Sequence, residues 1–240
     1  MNLRNSESGP VLIDLSGFIS DYNRILSIQR SLNQMRNDQR TPDIVIILQY
    51  NSIYTTGIHD NPEEYSGLMS KPIRLERGGS VTYHGPGQLV AYFIVSLRDR
   101  GINILDLIGI IQNSVSESIG IFGCYGEGRL GKETGVWIRG ENKKIASIGL
   151  ALKGFSTLHG VAVNISNDLR MFEPIRPCGY EHEIMTSLSE STRKFVGIGE
   201  YSKEFKRIIM RNMEIREEIV FDKFERFTEY LNERWSVTAP

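Results

Sequence analysis

The sequence predicts an α+β fold in which a mixed, largely antiparallel central sheet is flanked by helices. The segments with strand character are short and apolar, and glycine-rich loops separate them. Helical segments stand before, between and after these strands instead of alternating with them one to one, which favours α+β over repeated βαβ units. With 240 residues, 40% hydrophobic and 24% charged, the chain has the composition of a globular domain with a substantial core.

The elements follow in order along the chain. Apolar residues at helical spacing predict a first helix over 14–37 with Ser20 as its N-cap, and Thr41-Pro42 ends it. A second helix is capped by Asn103. The β-branched and apolar segments between and after these helices predict buried strands, which span 44–49, 73–77, 89–97, 135–139, 144–152 and 158–165.

After about residue 199 the sequence changes to charged helices. Phe224, Phe227, Leu231 and Trp235 form an apolar stripe at helical spacing, which predicts packing against the main body. We therefore expect a catalytic domain over 1–198 and a C-terminal helical extension over 199–240 that packs on the same body.

Charge and composition exclude several classes of protein. The formal net charge is −1, so no overall positive field favours nucleic acid or anionic lipid. Two cysteines cannot form a disulfide framework, residues 1–10 are polar, and no apolar run approaches the roughly 20 residues that span a bilayer. We expect a cytoplasmic protein that binds neither nucleic acid nor membrane.

Two motifs are set aside. The residues 126–131 match G-x-G-x-x-G, but they lead into a predicted strand, whereas a dinucleotide site requires a helix there. Cys178 and His182 lie four apart without further ligands at metal-binding spacing. The sequence thus predicts no metal and no cofactor.

Three segments contain more glycine and reactive side chains than packing requires. Residues 77–88 read Arg-Gly-Gly-Ser-Val-Thr-Tyr-His-Gly-Pro-Gly-Gln, a frame in which backbone groups can approach a ligand closely. Lys144 opens an apolar strand of small residues, and Cys178 stands in a Pro-Cys-Gly turn that can expose its sulfur. Residues 158–164 add His159 and a glycine. Their coincidence indicates a catalytic site.

These motifs resemble the octanoyltransferases of lipoate biosynthesis, in the lipoate ligase/biotin ligase superfamily. The resemblance runs from about residue 14 to 188 and rests on the following segments: Tyr22 with Gln29, 54–57 (Tyr-Thr-Thr-Gly), 77–88, 134–137 (Thr-Gly-Val-Trp), 144–149 (Lys-Ile-Ala-Ser-Ile-Gly), 159–164, 177–179 (Pro-Cys-Gly) and 186–188 (Thr-Ser-Leu). It implies a biotin/lipoate ligase-like catalytic domain. Two departures are Ser80, where the family usually has Gln, and Gln49-Tyr50-Asn51 in place of Glu-His-Pro.

The resemblance implies transfer of an octanoyl group from octanoyl-acyl carrier protein to the acceptor lysine of a lipoyl domain. The transfer passes through a thioester on Cys178, and Lys144 acts on the thiol, on the incoming amine, or on both. The implied acceptors are the lipoyl domains of the 2-oxoacid dehydrogenase and glycine cleavage complexes, and the protein is expected to be a monomer. The implied substrate-binding residues are Arg77, Gly78, Gly79, Ser80, Val81, Thr82, Tyr83, His84, Ser147, Ile148, Gly149, His159, Gly160, Val161 and Ala162.

Three other interpretations stay open from the sequence. An ATP-dependent lipoate or biotin ligase shares the glycine-rich block and the lysine but needs no nucleophilic cysteine, so the Pro-Cys-Gly turn favours transfer. A cysteine-dependent thioesterase would release free octanoate, since water would be its acceptor. A non-catalytic domain that binds carrier protein would release no carrier thiol.

Overall fold

The computed structural model describes residues 9–237, except for the side chains of Cys178 and His182. It contains eleven strands: β1 (Val11–Ser20), β2 (Ile44–Tyr50), β3 (Ile53–Thr56), β4 (Ile73–Arg74), β5 (Thr82–His84), β6 (Gln88–Ile94), β7 (Gly126–Arg129), β8 (Gly135–Ile138), β9 (Lys144–Lys153), β10 (Ser156–Asn164) and β11 (Glu217–Val220). The α-helices are α1 (Tyr22–Asn37), α2 (Leu97–Arg100), α3 (Ile104–Gly120), α4 (Leu188–Thr192), α5 (Ile198–Asn212) and α6 (Phe224–Trp235).

Eight of the strands form the central sheet, in the order β11-β1-β2-β6-β10-β9-β8-β7. The pairs β1–β11 and β1–β2 are parallel, and every other pair of neighbours in this sheet is antiparallel. Strands β4, β3 and β5 form a separate small sheet. The predicted α+β class with a mixed, largely antiparallel sheet is confirmed.

Helices cover both faces of the central sheet. On one face, α3 and α5 pack on apolar residues of β2, β6 and β10. On the other face, α1 and α6 pack on the opposite side chains of the same strands. Residues Phe227, Leu231 and Trp235 of α6 are buried there, as the helical stripe predicts. No helix within residues 9–237 is long and apolar enough to cross a membrane.

The N-terminal segment differs from the prediction. Residues 14–20 belong to strand β1, and helix α1 begins only at Tyr22. Its N-cap is Asp21, whose side chain accepts from the Arg24 backbone N–H, and not Ser20. The predicted helix begins too early because Phe18, Tyr22 and Ile25 lie four and three residues apart, a spacing that continues the pattern of α1 back into the end of β1.

Three other elements differ from the prediction. The strand predicted over 89–97 ends at Ile94, and Leu97 begins helix α2. Strand β4 ends at Arg74 and not at residue 77, since the chain then turns into the glycine-rich segment. Strand β11 interrupts the predicted C-terminal helices and pairs with β1 at the sheet edge. By contrast, the cap of α3 is as predicted: Asn103 and Asp106 form a reciprocal capping box.

Candidate active site

A cavity of about 690 Å³ lies where the small sheet meets β6, β9 and β10. Its volume is in the range of pockets that bind small molecules. Lys144 and all of the predicted substrate-binding residues except Tyr83 line it: Arg77, Gly78, Gly79, Ser80, Val81, Thr82, His84, Ser147, Ile148, Gly149, His159, Gly160, Val161 and Ala162. Segments that are far apart in the sequence therefore meet at one cavity.

The glycine-rich segment closes the cavity against an open strand edge. Strand β8 pairs with β9 only as far as Ser147, so the later residues of β9 are available to another partner. The backbone N–H of Gly78 donates to the Leu150 carbonyl at 2.9 Å. A Cβ at Gly149 would lie 2.8 Å from the Gly78 oxygen, so the close approach of loop and strand requires glycine at this position.

Arg77 is anchored from beneath the cavity. Its Nη2 donates to the Thr55 carbonyl at 3.0 Å and to Thr55 Oγ1 at 2.9 Å, and its Nη1 donates to the Gly78 carbonyl at 3.0 Å. The side chain is buried, at 8% exposure. The guanidinium therefore holds the loop to β3 and brings a permanent positive charge to the cavity wall.

A β-bulge positions Lys144 at the start of β9. Val136 pairs with Ala146 and Trp137 pairs with Lys144, so β9 has one extra residue between these pairs. Such a bulge changes the direction of the neighbouring side chains. The Lys144 Nζ lies 5.6 Å from the centroid of the Trp137 ring, within the range of a cation–π contact. A Cβ at Gly135 would lie 2.7 Å from Lys144 Cε, so glycine there leaves room for the lysine stem.

The Pro-Cys-Gly turn borders the same cavity. Residues Pro177–Gly179 form a single 3₁₀ turn, and Pro177 lines the cavity together with Lys144. The turn is tethered by the Arg176 N–H, which donates to the Glu64 carbonyl at 2.7 Å. Further along the segment, the Thr186 N–H donates to the Lys144 carbonyl at 3.0 Å. The side chain of Cys178, the predicted nucleophile, lies outside the described part of the chain.

Glu64 brings a carboxylate to the wall beside this turn. It lines the cavity, and a Cβ at Gly179 would lie 3.7 Å from its Oε1. Its Oε2 is buried and, among the residues that the structure describes, accepts no hydrogen bond. A buried carboxylate oxygen without a donor costs free energy. This site therefore favours a cationic or N–H group of a ligand.

His84 is buried at the cavity wall and hydrogen-bonded on one side. Its Nδ1 lies 2.7 Å from Gln88 Oε1. Burial lowers the pKa of His84 to about 4, and the Arg77 charge acts in the same direction. At neutral pH the ring is uncharged.

His159 occupies an unusual backbone position on β10, with φ of 63°. Its N–H donates to Gln29 Oε1 at 3.1 Å, which explains how α1 holds this strained residue in place. Burial lowers the pKa of His159, and its Nε2 lies 3.8 Å from Glu76 Oε2. His159 and Arg30 together hold the pKa of the Glu76 carboxyl well below its usual range.

Tyr83 does not line the cavity. Its ring packs against Tyr54 and Phe172 at centroid distances of 5.4 and 5.5 Å, and its hydroxyl lies 3.0 Å from Ser52 Oγ. Side chains alternate along a strand, so β5 directs its flanking residues Thr82 and His84 to the cavity and Tyr83 to the opposite side. The alternation of side chains along Thr-Tyr-His therefore predicts that Tyr83 points away from the cavity.

The cavity wall also contains tyrosines that the sequence did not predict to lie there. Tyr22 and Tyr92 form part of the wall, and the pKa of Tyr92 is raised by burial to about 12. Tyr50, one of the departures from the family pattern, is fully enclosed and packs on Tyr22 and His84 at 4.8 and 6.0 Å between centroids. These residues come from strands and helices whose apposition only the fold determines.

Comparison with solved structures defines the class of the fold. Lipoate-protein ligase A bound with ATP superimposes with a TM-score of 0.63 at 20% identity, covering 96% of this chain and 98% of that one. A structure of an archaeal lipoylation system, a bipartite lipoate protein ligase and its E2 lipoyl domain from Thermoplasma acidophilum, gives 0.63 at 19% identity over 95% and 92%. The protein has the lipoate ligase catalytic fold.

Sequence comparison then identifies the family. The family model of the lipoyl protein ligase A/B catalytic domain matches residues 21–209. A probable octanoyltransferase 2 of Picrophilus torridus is 41% identical over 84% of this chain and 79% of its own length. The octanoyltransferase of Syntrophobacter fumaroxidans is 37% identical over 73% and 79%. The chain belongs to the lipoyl protein ligase A/B family and is an acyltransferase.

Proposed function

We propose that this protein transfers an octanoyl group from octanoyl-acyl carrier protein to the acceptor lysine of a lipoyl domain, through a thioester on Cys178, in lipoate biosynthesis. One observation carries the proposal: the Lys144 side chain and the turn that contains Cys178 border a single cavity. The relatives named octanoyltransferase support the acyl group and the reaction class.

The first half-reaction is attack of the Cys178 sulfur on the donor thioester. An ordinary cysteine, with a pKa near 8.5, is only a few per cent thiolate at pH 7. The positive charges of Lys144 and Arg77 at the cavity wall would favour the thiolate. Backbone N–H groups of the glycine-rich segment would stabilise the oxyanion, an interaction worth about 3 kcal/mol per donor. The carrier thiol leaves, and the thioester bond is conserved on the enzyme.

The acyl chain would lie against small residues. Gly149, Gly160 and Ala162 line the cavity, and their lack of bulk leaves room for a methylene chain. Each buried methylene contributes about 0.8 kcal/mol. A donor two carbons shorter should therefore bind about 1.6 kcal/mol more weakly, which is roughly a fifteenfold change in affinity.

The second half-reaction is attack of the acceptor lysine on the acyl-cysteine. Its amine has a pKa near 10.4, so removing its proton at pH 7 costs about 4.6 kcal/mol. The Glu64 carboxylate would attract the arriving ammonium, and Lys144 in its neutral form would accept the proton. The amine then forms the amide bond, and the Cys178 thiolate leaves. The acceptors proposed are the lipoyl domains of the 2-oxoacid dehydrogenase and glycine cleavage complexes.

Incubation with octanoyl-carrier protein alone, followed by intact-mass measurement and peptide mapping, tests this function. We expect one octanoyl adduct on the peptide that contains Cys178, and none on Cys178→Ala. The matched control is Cys124→Ala, because Cys124 is buried and its pKa is raised to about 11. This control should acylate normally. An octanoyl adduct on Cys178→Ala would contradict the assignment of the nucleophile.

The ligase alternative is favoured by one observation, that the solved structures with this fold include an ATP-bound lipoate ligase. The two activities differ in their requirements. Transfer from octanoyl-carrier protein needs no ATP, whereas a ligase would acylate a lipoyl domain from free octanoate only with ATP and Mg²⁺. Release of free octanoate in place of an acylated domain would instead indicate a thioesterase.

A further inference from the structure

A chain of buried amides behind His84 determines which of its ring nitrogens carries the proton. Gln88 Nε2 lies 3.1 Å from the Tyr83 carbonyl oxygen and 2.9 Å from Asn164 Oδ1. Asn164 Nδ2 lies 3.0 Å from the Thr186 carbonyl oxygen. Since backbone carbonyls only accept, both amide nitrogens must face them, and the orientations of both side chains are fixed.

The consequence for His84 follows directly. Gln88 Nε2 is used as the donor, so its Oε1 faces His84 Nδ1 at 2.7 Å and must accept from it. Nδ1 therefore carries the hydrogen of the neutral ring, and Nε2 carries a lone pair. Among the residues that the structure describes, Nε2 has no hydrogen-bond partner, and the ring lines the cavity.

We infer that Gln88 and Asn164 are positioning residues that hold His84 as a hydrogen-bond acceptor, and that His84 Nε2 binds an N–H group of the substrate. The identity of that substrate rests on the proposed function. A lone pair cannot bind the thioester carbonyl, which also only accepts. At the reacting ends of the two substrates, the N–H groups are the amides of the carrier's pantetheine arm and the amine of the acceptor lysine.

Burial explains why His84 is suited to this role. Gln88 and Asn164 are 2% and 1% exposed, so their hydrogen bonds do not exchange with bulk water. This row of hydrogen-bonded amides also reaches Lys144, because the Thr186 N–H donates to the Lys144 carbonyl. One network therefore connects the cavity face of His84 to the start of the strand that bears Lys144.

The ¹⁵N resonances of the histidine side chains test the tautomer without any substrate. His84 is assigned from its absence in His84→Gln. We expect a protonated Nδ1 and an unprotonated Nε2 at pH 7 in the wild type, and a mixture of tautomers in Gln88→Met. A wild-type ring protonated on Nε2 would overturn the inference.

Asn33→Leu is the matched control for loss of a buried amide. Asn33 is 1% exposed and its Nδ2 donates to the Ser156 and Thr157 carbonyls, at the other end of the strand that bears Asn164. Its removal has a comparable stability cost but leaves the amides behind His84 intact. The His84 resonances should be unchanged in this variant.

Single-turnover rates show which N–H group is bound. Acyl-enzyme formation from octanoyl-carrier protein is measured first, and transfer from preformed acyl-enzyme to a lipoyl domain second. Gln88→Met should slow at least one step several-fold, because only the rings that keep a lone pair on Nε2 can bind the N–H group. A slower first step assigns the pantetheine amide, and a slower second step assigns the lysine amine. Unchanged rates in both steps would refute substrate binding by His84. If the wild-type protein transfers no acyl group, the proposed function is refuted, but the tautomer of His84 can still be measured.

Discussion

Acidification is expected to destabilise the fold through His84. Its pKa is about 4 in the folded protein, against an ordinary value of 6.5. Because the folded pKa is lowered, the unfolded chain binds more protons between these two values. The stabilisation from the neutral ring is therefore complete above pH 6.5 and is lost as the pH falls from 6.5 towards 4.

The size of the loss follows from the two pKa values. The full difference of about 2.5 pH units, at 1.36 kcal/mol per unit, corresponds to roughly 3 kcal/mol. Between pH 7 and pH 5 the free energy of unfolding should fall by about 2 kcal/mol from this one residue. That is a large part of the 5–15 kcal/mol typical of a domain.

Urea unfolding at pH 7, 6 and 5 measures this dependence, with the fluorescence of the buried Trp137 and Trp235 as the signal. We compare the free energy of unfolding of wild type with that of His84→Gln at each pH. In this difference, the contributions from His159 and Glu76 cancel. Wild type should lose about 2 kcal/mol more than the variant by pH 5. His59→Gln is the control, because His59 is exposed. Parallel pH dependence in wild type and His84→Gln would refute the argument.

Two further predictions concern the cavity wall. Glu64→Gln removes the carboxylate beside the Pro-Cys-Gly turn, so the KM for the lipoyl domain should rise several-fold while acyl-enzyme formation is unchanged; an unchanged KM would exclude Glu64 from binding the ammonium. Gly149→Ala would place a Cβ 2.8 Å from the Gly78 oxygen and displace the loop. It should weaken binding of octanoyl-carrier protein, and steady-state kinetics that match wild type would show that the loop tolerates the shift.

The sequence predicted the class of the fold and most of the sheet because its buried strands are apolar, short and bounded by glycine or proline. It did not predict β11, which has the sequence Glu-Glu-Ile-Val. Charged residues are typical of edge strands, where they discourage pairing between molecules, so such strands have a weak hydrophobic signal. The end of β1 is predicted as helix because Phe18 lies at helical spacing from Tyr22 and Ile25 in the following helix.

The sequence predicts which motif residues belong to a candidate site, but it does not predict how they are arranged around one cavity. The motif residues lie together because β10 pairs with both β6 and β9, a long-range pairing that spacing along the chain does not reveal. Tyr22 and Glu64 were not predicted to line the cavity because neither lies in a glycine-rich motif. The tyrosine comes from α1 and the glutamate from a short 3₁₀ turn, and only the tertiary structure brings them to the wall.

The density of motif residues in the sequence has two separate physical origins. One group, which includes His84 and Lys144, lines the cavity. A second group, Gln88 and Asn164, is buried behind it and fixes the orientation of His84 through amide hydrogen bonds. A residue of the second group tolerates substitution no better than one of the first, because a buried amide network is stable only when every donor and acceptor is satisfied. Substitutions at Gln88 and Asn164 should therefore change which nitrogen of His84 is protonated and have a smaller effect on the shape of the cavity.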